Sequence, residues 1–248
     1  MKIAFISDIH ANLEALQAVL NHIDQEGVDL IVNLGDLVGY NANPRECLEL
    51  VRERRVLSVM GNHDRAATEP RLAAEFNLIA HQAILWTNEE LQEEHKQYLS
   101  HLPLTHRLED AFLACHGTPA NPEAYVAYHF QGKRLLNQLR RELAPMRICF
   151  FGHTHRQAVW YRDVRGKVAT LPINPAEIVL SRENHYLINP GSVGQPRNRI
   201  PAASYAVFDT VDYTVSFHLL PYDIACAQHK ILAANLHPYL AERLAQGV

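Results

Sequence analysis

The segment Gly152-His153-Thr154-His155 sets two imidazoles two residues apart, directly after the apolar run Ile148-Cys149-Phe150-Phe151. Residues two apart on an extended segment face the same side, so both rings can reach one site. Asp8, His10, Asp36, Asn62 and His116 offer further donors of the same kind. Together the seven supply hard oxygens and imidazole nitrogens with no thiolate, a set suited to divalent Mn, Fe, Zn, Ni or Co rather than to a soft metal or an iron–sulfur cluster. Seven donors are too many for one four-coordinate zinc but match two ions sharing a carboxylate. Two ions about 3.5–4 Å apart clamp the attacking and leaving oxygens of a phosphoryl displacement and lower the pKa of a bridging water.

Such chemistry needs a scaffold that brings distant residues to one edge. Strands are expected at 2–7, 29–35 and 56–61, alternating with helices at 13–25 and 43–54, the second opened by Asn43-Pro44. This βαβαβ order predicts parallel strands covered by helices. Residues 66–102 read as helical, with Thr87-Asn-Glu-Glu90 as a capping box before the last helix and Pro103 closing it. Strands at 111–117 and 147–152 flank a helix at 131–143. Six short strands follow from about 157, and a helix or helix pair runs from about 222 to 245. The expectation is one domain over 1–248 with a helical insertion at about 66–107.

Each candidate donor lies where one of the early strands ends: Asp8 and His10, Asp36, Asn62 and His63, His116, then His153 and His155. In open α/β sheets, ligands bind outside the carboxyl ends of the strands, so these five ends should converge on one edge. Singly, each has a plain explanation: Asp8 could cap a helix, Gly35-Asp36 could be a turn, His116 a satisfied core histidine. Five coincident polar strand ends are not accounted for by turn chemistry.

The 248-residue chain carries a formal net charge of −4 with histidine neutral, so no global basic field points to nucleic acid or an anionic membrane surface. Its 48 % hydrophobic residues suffice for a sizeable core. Cys47, Cys115, Cys149 and Cys226 form no CxxC pair and read as reduced thiols of a cytoplasmic protein. No run has the length and apolarity of a membrane span or signal peptide.

Taken in order, Asp8-x-His10, Gly35-Asp36-x-x-Gly39, Gly61-Asn-His-Asp64, His116-Gly117 and Gly152-His-Thr-His155 resemble the calcineurin-like metallophosphoesterases. Asn189-Pro-Gly-Ser-Val-Gly-Gln-Pro-Arg197 resembles the closing loop of their small bacterial and archaeal phosphodiesterase-like branch. The resemblance implies a four-layer α/β/β/α sandwich: two mixed β-sheets flanked by helices. It implies that Asp8, His10 and His155 hold one metal and Asn62, His116 and His153 the other, with Asp36 bridging. Manganese comes first among Mn, Fe, Zn, Ni and Co. A hydroxide bridging the metals would attack the phosphorus, with His63 as general acid or charge partner over the phosphate and Asn62 contacting a phosphoryl oxygen. Asp64 is left between a catalytic role and bracing its loop.

The chain departs from the protein Ser/Thr phosphatases of this superfamily. Their Asp-Arg-Gly after the bridging aspartate is absent, with Gly39 and Tyr40 in place of the aspartate and the phosphate-gripping arginine. The arginine-containing pattern of symmetrical dinucleoside tetraphosphatases is absent too. A singly charged phosphodiester is therefore the expected substrate. The alternatives are a monoesterase acting on protein or nucleotide phosphate, and a metal-binding scaffold or nucleotide sensor with little turnover. Arg197, the cation in the closing loop, could contact substrate phosphate. Thr154, Asn189 and Ser192 are candidate supports for the ligands, and Tyr40 and Asn41 candidate cleft wall. Tyr125, Tyr128 and Phe130 could line a nucleobase wall, although packing of their segment onto the core explains them as well. A small phosphoester or nucleotide is the expected partner. A homo-oligomer is left open by the late strands, which have edges to pair.

Overall fold

A computed structural model of the chain describes residues 1–109, 111–173 and 177–248. Two six-stranded mixed sheets stack face to face, with helices on the outer faces. In the first sheet, β3 (Leu57–Ser58), β2 (Leu30–Asn33) and β1 (Lys2–Ile6) run parallel; β11 (Ala203–Asp209), β12 (Thr214–Leu220) and β9 (Glu177–Val179) continue it antiparallel. The second sheet is ordered β4 (Thr105–Leu108), β5 (Phe112–Cys115), β6 (Ile148–Phe150), β10 (His185–Pro190), β7 (Gln157–Arg162) and β8 (Val168–Leu171). In it, β5, β6 and β10 are the parallel members.

The apolar runs seen in the sequence are continuous because both faces of these strands are covered. Alternate residues divide between two cores. Ile3 and Phe5, Phe112 and Ala114, Ile148 and Phe150, and Ala206 and Phe208 point between the sheets, where the Phe5 and Phe150 rings stack with centroids 3.6 Å apart. Ala4 and Ile6 point outward onto α1 (Leu13–Glu26), and Leu113 and Cys149 onto α6 (His129–Arg141). This period-two division locks the register, since a one-residue slip would exchange the two sets.

After α2 (Pro44–Glu53) and β3, the chain builds α3 (Asn62–Thr68), a 3-10 turn at Pro70–Glu75, α4 (Leu78–Glu90) and α5 (Glu93–Ser100). The expected capping box at Thr87 is not formed. Thr87 lies inside α4, where its hydroxyl donates to the Ala83 carbonyl at 2.8 Å. The next helix starts only after Gln92. A threonine hydroxyl bonded four residues back is compatible with continuing the helix, so the motif carries no stop signal there. At the C-terminal end, α7 (Ile224–Ala233) and α8 (Pro238–Gln246) pack on Ala80, Ala83 and Tyr40. All four cysteines are free, with Cys115 and Cys149 sulfurs 3.6 Å apart on adjacent strands. Among the described residues no helix is long and apolar enough to cross a membrane.

Candidate metal centre

The five polar strand ends meet, but at the common end of two sheets rather than along one sheet edge. The loops after β1, β2 and β3 come from the first sheet and those after β5 and β6 from the second. Backbone hydrogen bonds join the first two loops, with Asp8, His10 and Ala11 amides donating to Gly35, Asp36 and Leu37 carbonyls at 2.8–3.0 Å. Asp8 (φ 52°), His10 (φ 48°), Asp36 (φ 56°), His153 (φ 66°) and His155 (φ 57°) all sit in the left-handed region. For an L-residue that conformation costs roughly 1–2 kcal/mol, and Asp and His are among the residues that tolerate it best. Its concentration at these positions is the pattern of strain held at a functional site.

Two groups of donors result. In the first, Asp8, His10 and His155 lie with their donor atoms within 4.8 Å of one another. His10 Nδ1 bonds to the Val38 carbonyl at 3.1 Å and His155 Nδ1 to that of Gln195 at 2.5 Å. A carbonyl accepts only, so each Nδ1 must carry the proton and each Nε2 is a bare lone pair. Those two nitrogens face each other at 3.2 Å. Asp8 Oδ1, 3.3 Å from His155 Nε2, is buried with no hydrogen-bond partner. Lone pairs converging in a dry site repel unless a cation stands between them, so this donor set fits a metal ion.

In the second group, Asp36, His116 and His153 meet. His116 Nδ1 bonds to the Leu34 carbonyl at 2.7 Å and His153 Nε2 to that of Glu123 at 3.2 Å. The opposite nitrogens, His116 Nε2 and His153 Nδ1, are 3.1 Å apart, and Asn62 Oδ1 is 3.0 Å from His116 Nε2. The Asp36 carboxylate lies between the groups, its Oδ2 3.6 Å from His10 Nε2 and 3.2 Å from His116 Nε2. The two histidines of the GHTH segment thus fall in different groups.

The electrostatics carry the same demand for positive charge. Burial pushes the Asp8 carboxyl up to about 7, with Asp36 adding and His116 opposing. Burial alone would lower His116, yet the adjacent Asp36 raises it to about 9. Burial holds His10 and His155 well below the usual imidazole range, and burial with the His116 charge takes His153 down to about 3. With protein groups alone, the carboxylates keep a proton on His116, while three imidazoles remain neutral and free to donate lone pairs.

His63, the second residue of α3, is buried among Tyr40, Phe76 and His10, with ring centroids 4.5, 4.9 and 4.8 Å away. Its Nδ1 has no partner, and burial lowers its pKa to about 4 against the pull of Asp36. Its amide donates to Asp36 Oδ1 at 2.8 Å, and His10, Asp36 and His63 also offer donor atoms within 4.8 Å of one another. Asp64 accepts from the amides of Asp36, Leu37, Val38 and Gly61 at 2.7–3.2 Å. It therefore fastens the Asp36 loop to the start of α3, with both oxygens taken up by backbone amides. Asn189 donates to the Gly152 carbonyl and to the Thr154 hydroxyl, and Ser192 donates to the Asp8 carbonyl.

Ser7, which had no signal in the sequence, donates to Asp8 Oδ2 at 2.7 Å, and Gln195 of the closing loop offers its carbonyl to His155. Asn41, expected in the cleft wall, instead donates to the His10 carbonyl at 2.7 Å. Above His63 opens a cleft of 280 Å³ walled by Tyr40, Leu72, Phe76 and Tyr125. Tyr125 packs on His153 with centroids 3.9 Å apart. Tyr128 and Phe130 neither line this cleft nor pack on the core. They are 67 % and 68 % exposed and stack on each other at the start of α6, Tyr128 as its cap and Phe130 in its first turn.

Two mixed sheets with a histidine–carboxylate cluster where their strands end define the architecture of metallophosphoesterases. The chain belongs to the calcineurin-like phosphoesterase superfamily, whose domain matches residues 1–213. It is 39 % identical to the uncharacterized protein MJ0912 of Methanocaldococcus jannaschii over 99 % of this chain and 98 % of that one. It is also 39 % identical to a metallophosphoesterase from Sphaerobacter thermophilus, whose crystal structure superposes with a TM-score of 0.81 over 100 % of this chain and 99 % of that one. Phosphodiesterase YfcE of Escherichia coli is 27 % identical over 84 % of this chain and 88 % of its own length.

Proposed function

We propose that the protein hydrolyses phosphodiesters with two divalent metal ions, manganese first among the candidates. Asp8, His10 and His155 would hold one ion, Asn62, His116 and His153 the other, and Asp36 both. The observation that carries this reading is the Asp36 carboxylate standing between two groups of imidazole nitrogens that converge on one another. Bound there, the pair of ions supplies a nucleophile at neutral pH and charge stabilisation for the phosphoryl oxygens.

The chain's own residues supply the rest. Backbone carbonyls fix each imidazole tautomer, which orients the lone pairs before any ion arrives. His63, neutral when alone, stands at the floor of the cleft. An incoming phosphoester anion favours its protonated form, which then donates to the leaving oxygen. Tyr40, Leu72 and Phe76 exclude water around that proton transfer. Arg197 does not line the pocket above His63, although its charge is felt at the His63 ring; a lining without a guanidinium to match the second charge of a monoester favours the diester. The relative YfcE, a phosphodiesterase, points the same way.

The test compares bis-p-nitrophenyl phosphate with p-nitrophenyl phosphate on metal-stripped protein given back Mn²⁺. Metal-dependent cleavage preferring the diester is expected. Preference for the monoester would replace diesterase with phosphatase, and failure to bind metal would overturn the reading.

A further inference from the structure

Beside the pocket above His63 lies a second cleft of 370 Å³ that shares Tyr40, Asn77 and Tyr125 with it. Its remaining lining is Ile79, Arg197, Tyr239 and Arg243, with two guanidinium groups and no carboxylate. Neither arginine is ion-paired to an Asp or Glu among the described residues. Arg197, half-buried, leans its guanidinium on Gln195 Oε1 at 3.0 Å and has a buried Nε with no partner. Arg243, also half-buried, lies over the faces of Tyr40 and Tyr239 at 5.8 and 5.4 Å, and its Nε donates to the backbone oxygen of Val248.

Two like charges brought together with no Asp or Glu between them are unfavourable in the free protein even with Arg243 bonded to Val248, and the lowered pKa of Arg243 reflects burial first and Arg197 second. The fold holds them there nonetheless. Leu240, Ala241 and Leu244 of α8 are buried in the same cluster as Tyr40, Ala80 and Ala83, and helical spacing then directs Arg243 toward the cleft. Arg197 arrives from the closing loop, whose Gln195 carbonyl also braces His155. Paired planar guanidinium forks are suited to a phosphate group, and the exposed Tyr125 and Tyr239 leave ring faces beside them.

We propose that Arg197 and Arg243 form a subsite for a second phosphate on the substrate, making the physiological substrate an organic phosphoester that carries a non-scissile phosphate beside an aromatic ring. This rests on the hydrolase reading above and adds the substrate class. The scissile group occupies the pocket over His63, and the second phosphate reaches the adjoining cleft between the C-terminal helix and the closing loop.

The experiment uses thymidine 5′-(p-nitrophenyl phosphate) with and without a 3′-phosphate on the Mn²⁺-loaded protein. Both share one scissile bond and one base. The 3′-phosphate is expected to lower KM about tenfold, the worth of a charge-assisted contact, with kcat little changed. In Arg243→Gln, which keeps the packing stem, and separately in Arg197→Gln, that advantage falls to within about twofold. Equal KM for the two esters in the wild type, or an advantage unchanged in both variants, overturns the subsite. A loss of p-nitrophenyl phosphate cleavage in step with it also overturns it, because the arginines would then serve the scissile phosphate. Calorimetric binding of adenosine 3′,5′-bisphosphate separates the two readings. If neither ester is cleaved yet this probe binds about fivefold more weakly to the variants, the hydrolase reading fails and the subsite stands; unchanged binding removes the subsite.

Discussion

The backbone of Gly39 passes so close to His63 that a Cβ on Gly39 would lie 2.6 Å from the His63 Nδ1. Gly39 also has φ +92°, outside the range an L-residue adopts without strain. The position that carries an aspartate in the protein phosphatase branch is here a space that the imidazole itself fills, and Nδ1 is left without a partner.

Gly39→Ala should therefore displace His63 and strain the loop at once. The expected outcome is a loss of about 1–3 kcal/mol in urea unfolding, with activity down about 10²-fold from misplacement of the ring. Full activity with native stability would show that the loop can move away at little cost.

Asp36 and His63 should separate in their effect on metal. Asp36→Asn removes the carboxylate between the two donor groups and should abolish turnover while lowering bound metal. His63→Ala should retain both ions yet lose about 10²–10⁴ in rate if it acts as a general acid. Elemental analysis beside turnover reads both. Metal loss in His63→Ala equal to that in Asp36→Asn would make His63 a ligand, as its proximity to His10 and Asp36 permits.

Asp64 supports the Asp36 loop without lining the cleft. Asp64→Asn keeps its shape but offers one acceptor oxygen to amides that now have two. A destabilisation of about 1–3 kcal/mol is expected, together with weaker metal retention, measured by chemical unfolding and by chelator competition. Unaltered metal affinity would detach Asp64 from the positioning of Asp36.

Acid sensitivity away from the centre should pass through His185. Partial burial lowers its pKa, and Arg147, Arg162 and Arg140 add to the effect. The folded pKa is therefore below the unfolded value of about 6.5, so its contribution is complete above that pH and is lost as pH falls through the folded value. His185→Gln should flatten the fall of Tm between about pH 6.5 and 5 relative to wild type. Parallel slopes would show that the ring does not titrate with unfolding.

The strand ends were legible because their signals are local. Apolar runs such as 111–115 and 147–151 stop abruptly on histidine or glycine, and each motif is complete within a few residues. The boundary between α4 and α5 was not legible. A threonine followed three residues later by glutamate reads as a helix start, but Thr87 satisfies the Ala83 carbonyl within its own helix instead. Tyr128 and Phe130 misled for another reason: aromatic residues usually report burial, and these two stand at the start of α6 where the core does not cover them.

What the sequence alone determined, then, was the order of elements and the polar residues at the strand ends, because periodicity and residue chemistry are properties of short segments; the two-sheet class came with the family resemblance. Which donors face which is a property of packing. Only the stacking of one sheet on the other, through pairs such as Phe5 and Phe150, puts His116 beside Asp36 and sends His153 and His155 to different groups. Arg243 was likewise invisible, since a helix more than two hundred residues from Asp8 in the chain reaches the cleft only after α8 buries its apolar face against Tyr40 and α4. Tertiary structure decides such neighbours because long-range contacts depend on how faces pack, which no local spacing encodes.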